Sequence, residues 1–174
     1  TLDRSSAASD VYKRQVEESD GDGIVVPGHG LKRGYFAQEH DTLQLDASVW
    51  DNMVRQAPDA GAQDLRGLLG AFMLTEQMWE QPAGTLSGGE KTRLALASLV
   101  CSQANVLLLD EPTNNLDPIS REQVLEALRT YEGACVLVTH DPGAVEALKP
   151  ERVIVLPDGV EAVSYTHLRA HETR

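Results

Sequence analysis

The sequence predicts an α/β fold, a parallel core sheet that carries an α-helical subdomain. Three observations predict it. Three short apolar runs, Val106–Leu109, Cys135–Val138 and Arg152–Leu156, are rich in Val, Ile and Leu and are separated by helical patterns, which is how parallel strands buried on both faces read. From Asp46 to about Ser102 the apolar residues recur at helix spacing. The first apolar run ends in two acids, Asp110 and Glu111, and open parallel sheets bind ligands beyond the carboxyl ends of their strands.

Each element follows in order. "GDGIVVPGHGLKRGYFAQ" reads as two short strands, Ile24–Val26 and Lys32–Gln38, joined by a Pro-Gly-His-Gly turn. The helical subdomain, about 46–102, opens with Val49, Trp50, Met53 and Val54 on one face. It continues with Leu65, Leu68, Leu69 and Phe72, and Pro58–Gly61 breaks the run between the two sets. A further helix starts at Gly88 and gathers Leu94, Ala95, Ala97, Ser98 and Cys101 into a tight apolar face. Between the first two apolar runs lies a helix with Asp117 as N-cap and Pro118 in its first turn. Val124, Leu125 and Leu128 point inward there, and Gly133 is the stop.

The two ends do not share this patterning. Residues 1–15 and 163–174 lack helix or strand periodicity. Asp10–Gln15 can be written GAT GTG TAT AAG AGA CAG. Its reverse complement, read two bases in, encodes Val163–His167 and starts the Leu168 codon. Ser5–Ser9 and Leu168–Thr173 likewise fit the outer parts of paired tagmentation adaptors. Both ends are therefore expected to be translated adaptor and excluded from fold reasoning. His167 and His171 are then no metal pair. The native part is expected to be residues 16–162, with 24 acids and 10 bases of the chain's 27 and 15.

Composition narrows the function. A formal net charge of −12 over 174 residues argues against loose, charge-driven binding to nucleic acid or anionic membrane, while leaving room for a specific dock. No apolar run approaches the roughly 18–20 residues that cross a bilayer, and no signal segment opens the chain. Cys101 and Cys135 lie in apolar runs without a CxxC pattern. The expectation is buried free thiols in a reducing cytoplasm.

Three motifs carry chemistry. In "VLLLDEP", Asp110 at a strand end can hold Mg²⁺, a hard cation that takes oxygen ligands. Glu111 beside it can orient and deprotonate an attacking water. Phosphoryl transfer needs mainly positioning and charge neutralisation, so the pair has a division of labour. In "VLVTHDP", His140 leaves the end of the next strand, where it can donate to a γ-phosphate. "LSGGEKTR" is a Ser-Gly-Gly turn opening a helix, whose N–H groups and positive end suit an anion. Any one of these alone also reads as a cap or a turn; their spacing together does not.

This combination resembles the ATP-binding cassette (ABC) family over about Gly21–Ala162. The resemblance implies a P-loop NTPase nucleotide-binding domain that uses ATP and Mg²⁺. It makes "LSGGE" the signature motif, with Ser87, Gly88, Gly89 and Glu90 as nucleotide-binding residues. Val106–Asp110 becomes the Walker B strand, Glu111 the catalytic base and His140 the switch histidine. "NNLD" places Asn115 and Asp117 in the D-loop. "GYFAQ" places Gln38 at the Q-loop, so Gln38 and Asp110 are the metal-site residues. In the family two cassettes pair head to tail, each signature closing on the ATP held by its partner.

Within the family, "LSGGEKTRLALASL" and "EPTNNLD" look like the ABC-F group, soluble proteins with two cassettes in one chain and no membrane domain. The style is that of the second cassette of actinobacterial members. ABC-F proteins act on ribosomes, some as translation factors and some in antibiotic resistance. The alternatives are the ATPase subunit of an ABC transporter and a chromosome-structural ATPase of the condensin type. The latter carries long coiled coils between its halves, whereas Gln38 and Ser87 are only 49 positions apart, without heptads. The family's phosphate loop, GxxxxGK[ST], does not occur in the 174 residues. The expectation is a cassette lacking its Walker A segment, inactive as an isolated chain, with that segment upstream of an adaptor junction at Gln15.

Overall fold

The computed structural model describes residues 29–36, 42–155 and 160–162, the last three and Val155 by backbone alone. The expected adaptor segments 1–15 and 163–174, the strand Ile24–Val26 and Gln38 lie outside the described residues. The chain divides into two units, Thr1–Lys32 and Arg33–Arg174. In the first, Gly30 has φ of +87°, a left-handed turn conformation that suits glycine.

All the elements named below belong to the second unit. β1 (Arg33–Phe36), β2 (Val106–Asp110) and β3 (Ala134–Val138) form a parallel sheet in the order β1-β2-β3. Gly34 stands opposite Leu107, and Leu107 opposite Cys135. The helices are α1 (Val49–Gln56), α2 (Ala62–Ala71), α3 (Gly88–Cys101), α4 (Pro118–Arg129) and α5 (Pro142–Leu148). The parallel pairing of β2 with β3 is the one expected from the two apolar runs.

Helix starts follow local chemistry. Ser48 caps α1 by accepting from the N–H of Asp51 at 3.0 Å. Asp117 caps α4 and Asp141 caps α5, each followed by Pro at the first helical position, where its fixed φ fits and its missing N–H costs nothing. α4 ends at Arg129 with Thr130 as C-cap, earlier than the Gly133 expected as the stop.

α3 is the hub: it packs against β1, α1, α2 and α4. Gly34 lets it come close, because a Cβ there would meet the side chains of Leu99 at 2.7 Å and Leu107 at 2.9 Å. One continuous apolar core results, running from Val49, Met53, Leu69 and Phe72 through Leu94 and Leu96 to Leu107 and Leu109. Asn52 sits inside it without an unmet group. Its side-chain oxygen accepts from the N–H of Gln44, and its amide donates to the carbonyls of Gln44 and Ser48.

Three expectations need correction. Among the described residues, the part of the 152–156 run that forms a strand does not join the parallel sheet. β4 (Val153–Val155) pairs antiparallel with β5 (Val160–Ala162), as a short connection demands, since parallel strands need a long crossover. Nor is β3 buried on both faces: Val136 and Val138 are 52% and 56% exposed. β3 stands at the edge of the described sheet, and the buried core lies against Leu107 and Leu109 of β2. For the same reason the thiols are not both buried. Cys135 is exposed, and Cys101 is half-buried, where desolvation pushes its thiol up to about 11.

Candidate functional site

The site grows from the carboxyl ends of β2 and β3. Asp110 closes β2 in register with Val138. Glu111 follows with φ of +46°, a left-handed conformation costly for a side chain with a Cβ. Its backbone is locked by donating its N–H to the carbonyl of Val138 at 2.9 Å and by accepting from the N–H of Asn114 at 3.3 Å. This twist turns the carboxylate toward the 139–140 turn. Oε1 accepts from the backbone N–H of His140 at 3.0 Å and lies 2.5 Å from its ring Nδ1. Oε2 accepts from the Thr139 hydroxyl at 3.2 Å. Glu111 is mostly buried, with 15% of its side chain exposed, whereas the His140 ring is 76% exposed. The ring that the sequence sends toward a γ-phosphate here lies against the carboxylate.

A second cluster opens α3. Ser87 is the N-cap and Glu90 completes a reciprocal capping box. Glu90 Oε2 accepts from the Ser87 N–H at 2.7 Å, and Ser87 Oγ accepts from the Glu90 N–H at 3.4 Å. The Ser87 backbone donor is the main reason the Glu90 carboxyl sits below its ordinary range, with the Ser87 hydroxyl and Arg93 adding to it. Ser87 and Gly88 are exposed, and a Cβ on Gly88 would meet nothing within 4 Å. Gly89 is half-buried, and a Cβ there would lie 3.5 Å from the carbonyl oxygen of Asn115.

The segment between the clusters turns at Pro112–Leu116. Asn115 is exposed, while Leu116 is buried in the core. Asp117 Oδ1 accepts from the N–H groups of Ile119 and Ser120, both at 3.1 Å. Hydrogen bonds from Ser120, the side chain's above the backbone's, hold its carboxyl below the ordinary range.

The structure thus joins Asp110, Glu111 and His140 at one sheet end. Ser87, Gly88, Gly89 and Glu90 lie at one helix end, with Asn115 beside Gly89. Gln38 lies outside the described residues. Thr139, Asp141 and Arg121 belong to the site and were not singled out from the sequence. The "THDP" segment held the signal for two of them, since Asp before Pro announces an N-cap and Thr sits beside the histidine. Among the described residues no group of three His, Cys, Asp or Glu could cage a metal ion. A single strand-end aspartate fits Mg²⁺ nonetheless, because that ion uses one or two carboxylates and takes its remaining ligands from water and phosphate. Asp110 would hold it, and Mg²⁺ there would neutralise charge on phosphate oxygens.

An α/β domain with an acid pair at the end of a parallel strand and an open glycine turn at a helix start is of the phosphate-handling class. The ABC transporter family profile matches residues 14–114, and the chain belongs to that family of ATP-binding cassettes, whose domains bind ATP, typically with Mg²⁺. The Haemophilus influenzae "Probable ATP-binding protein YheS" is 45% identical over 120 residues, 68% of this chain and 19% of that protein. The Arabidopsis thaliana "ABC transporter F family member 5" is 35% identical over 137 residues, 78% of this chain and 20% of that one. These relatives are of the ABC-F group, and the chain spans about a fifth of their length. The dimeric post-hydrolysis structure of the ATP-binding cassette MJ0796, bound to ADP and Pi, is 25% identical. It superposes with a TM-score of 0.62, covering 78% of this chain and 63% of that one. No helix among the described residues is long and apolar enough to cross a membrane.

Proposed function

We propose that the chain is the hydrolytic and signature part of the second cassette of a cytoplasmic ABC-F protein that hydrolyses ATP to do mechanical work on the ribosome. The observation that carries the reading is Glu111. It is held at the end of β2 by partners on the next strand's turn, beside an aspartate suited to Mg²⁺. Glu111 takes the proton of the attacking water, and its burial keeps bulk water from competing for it. His140 steadies the same carboxylate and lies close enough to exchange partners when a phosphate arrives. Asp110 and Gln38 would hold the cation, which would neutralise charge on phosphate oxygens. Ser87 and Gly88 form the exposed start of α3, which would meet the nucleotide of a partner cassette, with Gly89 beside Asn115. The ribosome as the site of action is what the resemblance of "LSGGEKTRLALASL" and "EPTNNLD" to the F group implies.

The missing GxxxxGK[ST] pattern belongs to the same reading. The backbone cradle and lysine that bind phosphates are supplied by another segment, so the 174 residues alone neither bind ATP tightly nor hydrolyse it. The test is a full-length protein carrying Glu111→Gln, sedimented with purified ribosomes with and without ATP. ATP-dependent accumulation on ribosomes is expected. Co-purification with a membrane protein and no ribosome association would overturn the assignment in favour of a transporter subunit.

A further inference from the structure

The carboxylate of Glu111, as the base of hydrolysis, must be aimed at the water it deprotonates. Its backbone sits at φ of +46°, which is uphill for a non-glycine residue and persists only where surroundings over-determine it. Both carboxylate oxygens are held. The His140 N–H reaches Oε1 at 3.0 Å and the His140 ring Nδ1 lies 2.5 Å from the same oxygen, while the Thr139 hydroxyl reaches Oε2 at 3.2 Å. Contacts on Oε1 alone would leave the carboxylate plane free to swing about that oxygen; the Thr139 contact on Oε2 fixes the plane.

The Thr139 hydroxyl is itself oriented. A hydroxyl has one proton and two lone pairs. The N–H of Asp141 donates to Thr139 Oγ1 at 3.1 Å, which occupies acceptor capacity and leaves the proton for Glu111, a group that as a carboxylate can only accept. Asp141 is in turn held from both sides. Its Oδ1 accepts from the N–H of Gly143 at 2.9 Å and its Oδ2 accepts from Arg121 at 3.1 Å. Arg121 lies in the first turn of α4, the helix that Asp117 caps. A line of hydrogen bonds therefore runs from that helix through Asp141 and Thr139 to the carboxylate.

We infer that Thr139 is a positioning residue for hydrolysis: its hydroxyl, polarised by Asp141 and anchored through Arg121, fixes the carboxylate of Glu111 so that its remaining lone pair on Oε2 faces the attacking water. The inference rests on Glu111 being the base. It assigns no chemistry to Thr139, which acts only through Glu111. A misdirected base costs up to about a hundredfold in rate when positioning slips by an ångström.

The experiment uses the full-length protein that carries this segment and compares Thr139→Val, Thr139→Ser and Glu111→Gln. Valine keeps the shape and deletes the hydroxyl; serine restores it. Thr139→Val should lower kcat about tenfold to a hundredfold with the KM for MgATP and the thermal midpoint unchanged, and Thr139→Ser should recover most of the loss. Turnover of Thr139→Val within twofold of the parent, while Glu111→Gln is slow, would overturn the inference and leave the hydrolysis reading intact. A loss in Thr139→Val that serine does not restore, or one that tracks a lowered thermal midpoint, would also overturn it. Glu111→Gln turning over at the parent's rate would instead remove the base assignment, and with it the reading on which Thr139 depends.

Discussion

Ser87 and Glu111 are both polar residues at element ends, yet they are held in opposite ways. Ser87 bonds within its own turn. Its partner is Glu90, three residues on, in a capping box whose backbone is extended and unstrained. Glu111 bonds across the fold. Its partners Thr139 and His140 come 28 and 29 residues later, and its backbone carries φ of +46°. The first arrangement forms wherever the helix forms, and it leaves Gly88 open to whatever approaches. The second exists only after β2 and β3 have paired. On the proposed function, the surface that meets a partner cassette is built locally, whereas the base aimed at a reacting atom needs β2 and β3 paired.

The sharpest break between the two is Glu111→Gln in a full-length protein. The amide keeps the shape and cannot take a proton, so steady-state phosphate release should fall about 10²–10⁴-fold. The thermal midpoint should stay near that of the parent, because hydrogen-bond acceptance by one oxygen is retained. Unchanged turnover would place Glu111 with Ser87, as a structural end group.

The sheet dependence of the acid cluster can be tested from below. Leu107 is fully buried on β2 between β1 and β3, and Leu107→Ala should cost about 2–5 kcal/mol through the lost contacts and the cavity left behind. Val136→Ala on the exposed edge strand should change stability by less than about 0.5 kcal/mol, as surface substitutions do. Urea unfolding compares the two directly. Equal losses would mean that β3 is as buried as its apolar sequence suggests.

The capping box predicts a smaller effect. Ser87→Ala removes the acceptor for the Glu90 N–H and should lower stability by about 0.5–2 kcal/mol. Glycine at the same position should cost only a few tenths of a kcal/mol, because glycine is itself a tolerated N-cap. Thermal denaturation of the pair separates loss of a cap from loss of a buried contact. A loss as large as that of Leu107→Ala would show that Ser87 is held by more than its own turn.

The same contrast explains what could be read in advance. The helices of the 46–102 region were legible because Val49, Met53, Leu65, Leu69 and Phe72 recur at helix spacing and all are buried. Asp117 was legible as a cap because capping is a matter of three or four consecutive residues, and Ser87 was legible as part of the turn that opens a helix, though its capping box with Glu90 was not read. Pairing of β2 with β3 followed from two apolar runs separated by a helix. The failures were non-local. The apolar run at 134–138 says nothing of how much of it the rest of the fold will cover, so Val136 and Val138 looked buried and are not. The run at 152–156 looked like its neighbours, and only its pairing with Val160–Ala162 reveals an antiparallel hairpin. Thr139 escaped because a threonine on a β-branched strand end is ordinary until Glu111 is folded against it.

The smallest effect concerns Asp117, which sits in the D-loop stretch but is held like Ser87, by its own turn. Its carboxyl lies below the ordinary range because of hydrogen bonds from the Ser120 side chain and from the backbone N–H groups of Ser120 and Ile119. A carboxyl depressed on folding adds stability that is full above its unfolded pKa of about 3.9 and is lost as pH falls through the lower folded value. The start of α4 should therefore weaken as pH falls below about 4, together with that of α3, where Glu90 is depressed for the same kind of reason. Asparagine caps a helix about as well as aspartate and does not titrate. Asp117→Asn should match the parent's thermal midpoint near neutrality and decline less steeply in acid, by a modest margin because Asp117 is fully exposed to solvent. Thermal midpoints measured from neutral pH down through the acid limb decide it. Parallel curves for the two proteins would mean that the Asp117 carboxylate is not engaged as a cap, and would return it to the class of residues, like Glu111, whose partners come from elsewhere in the fold.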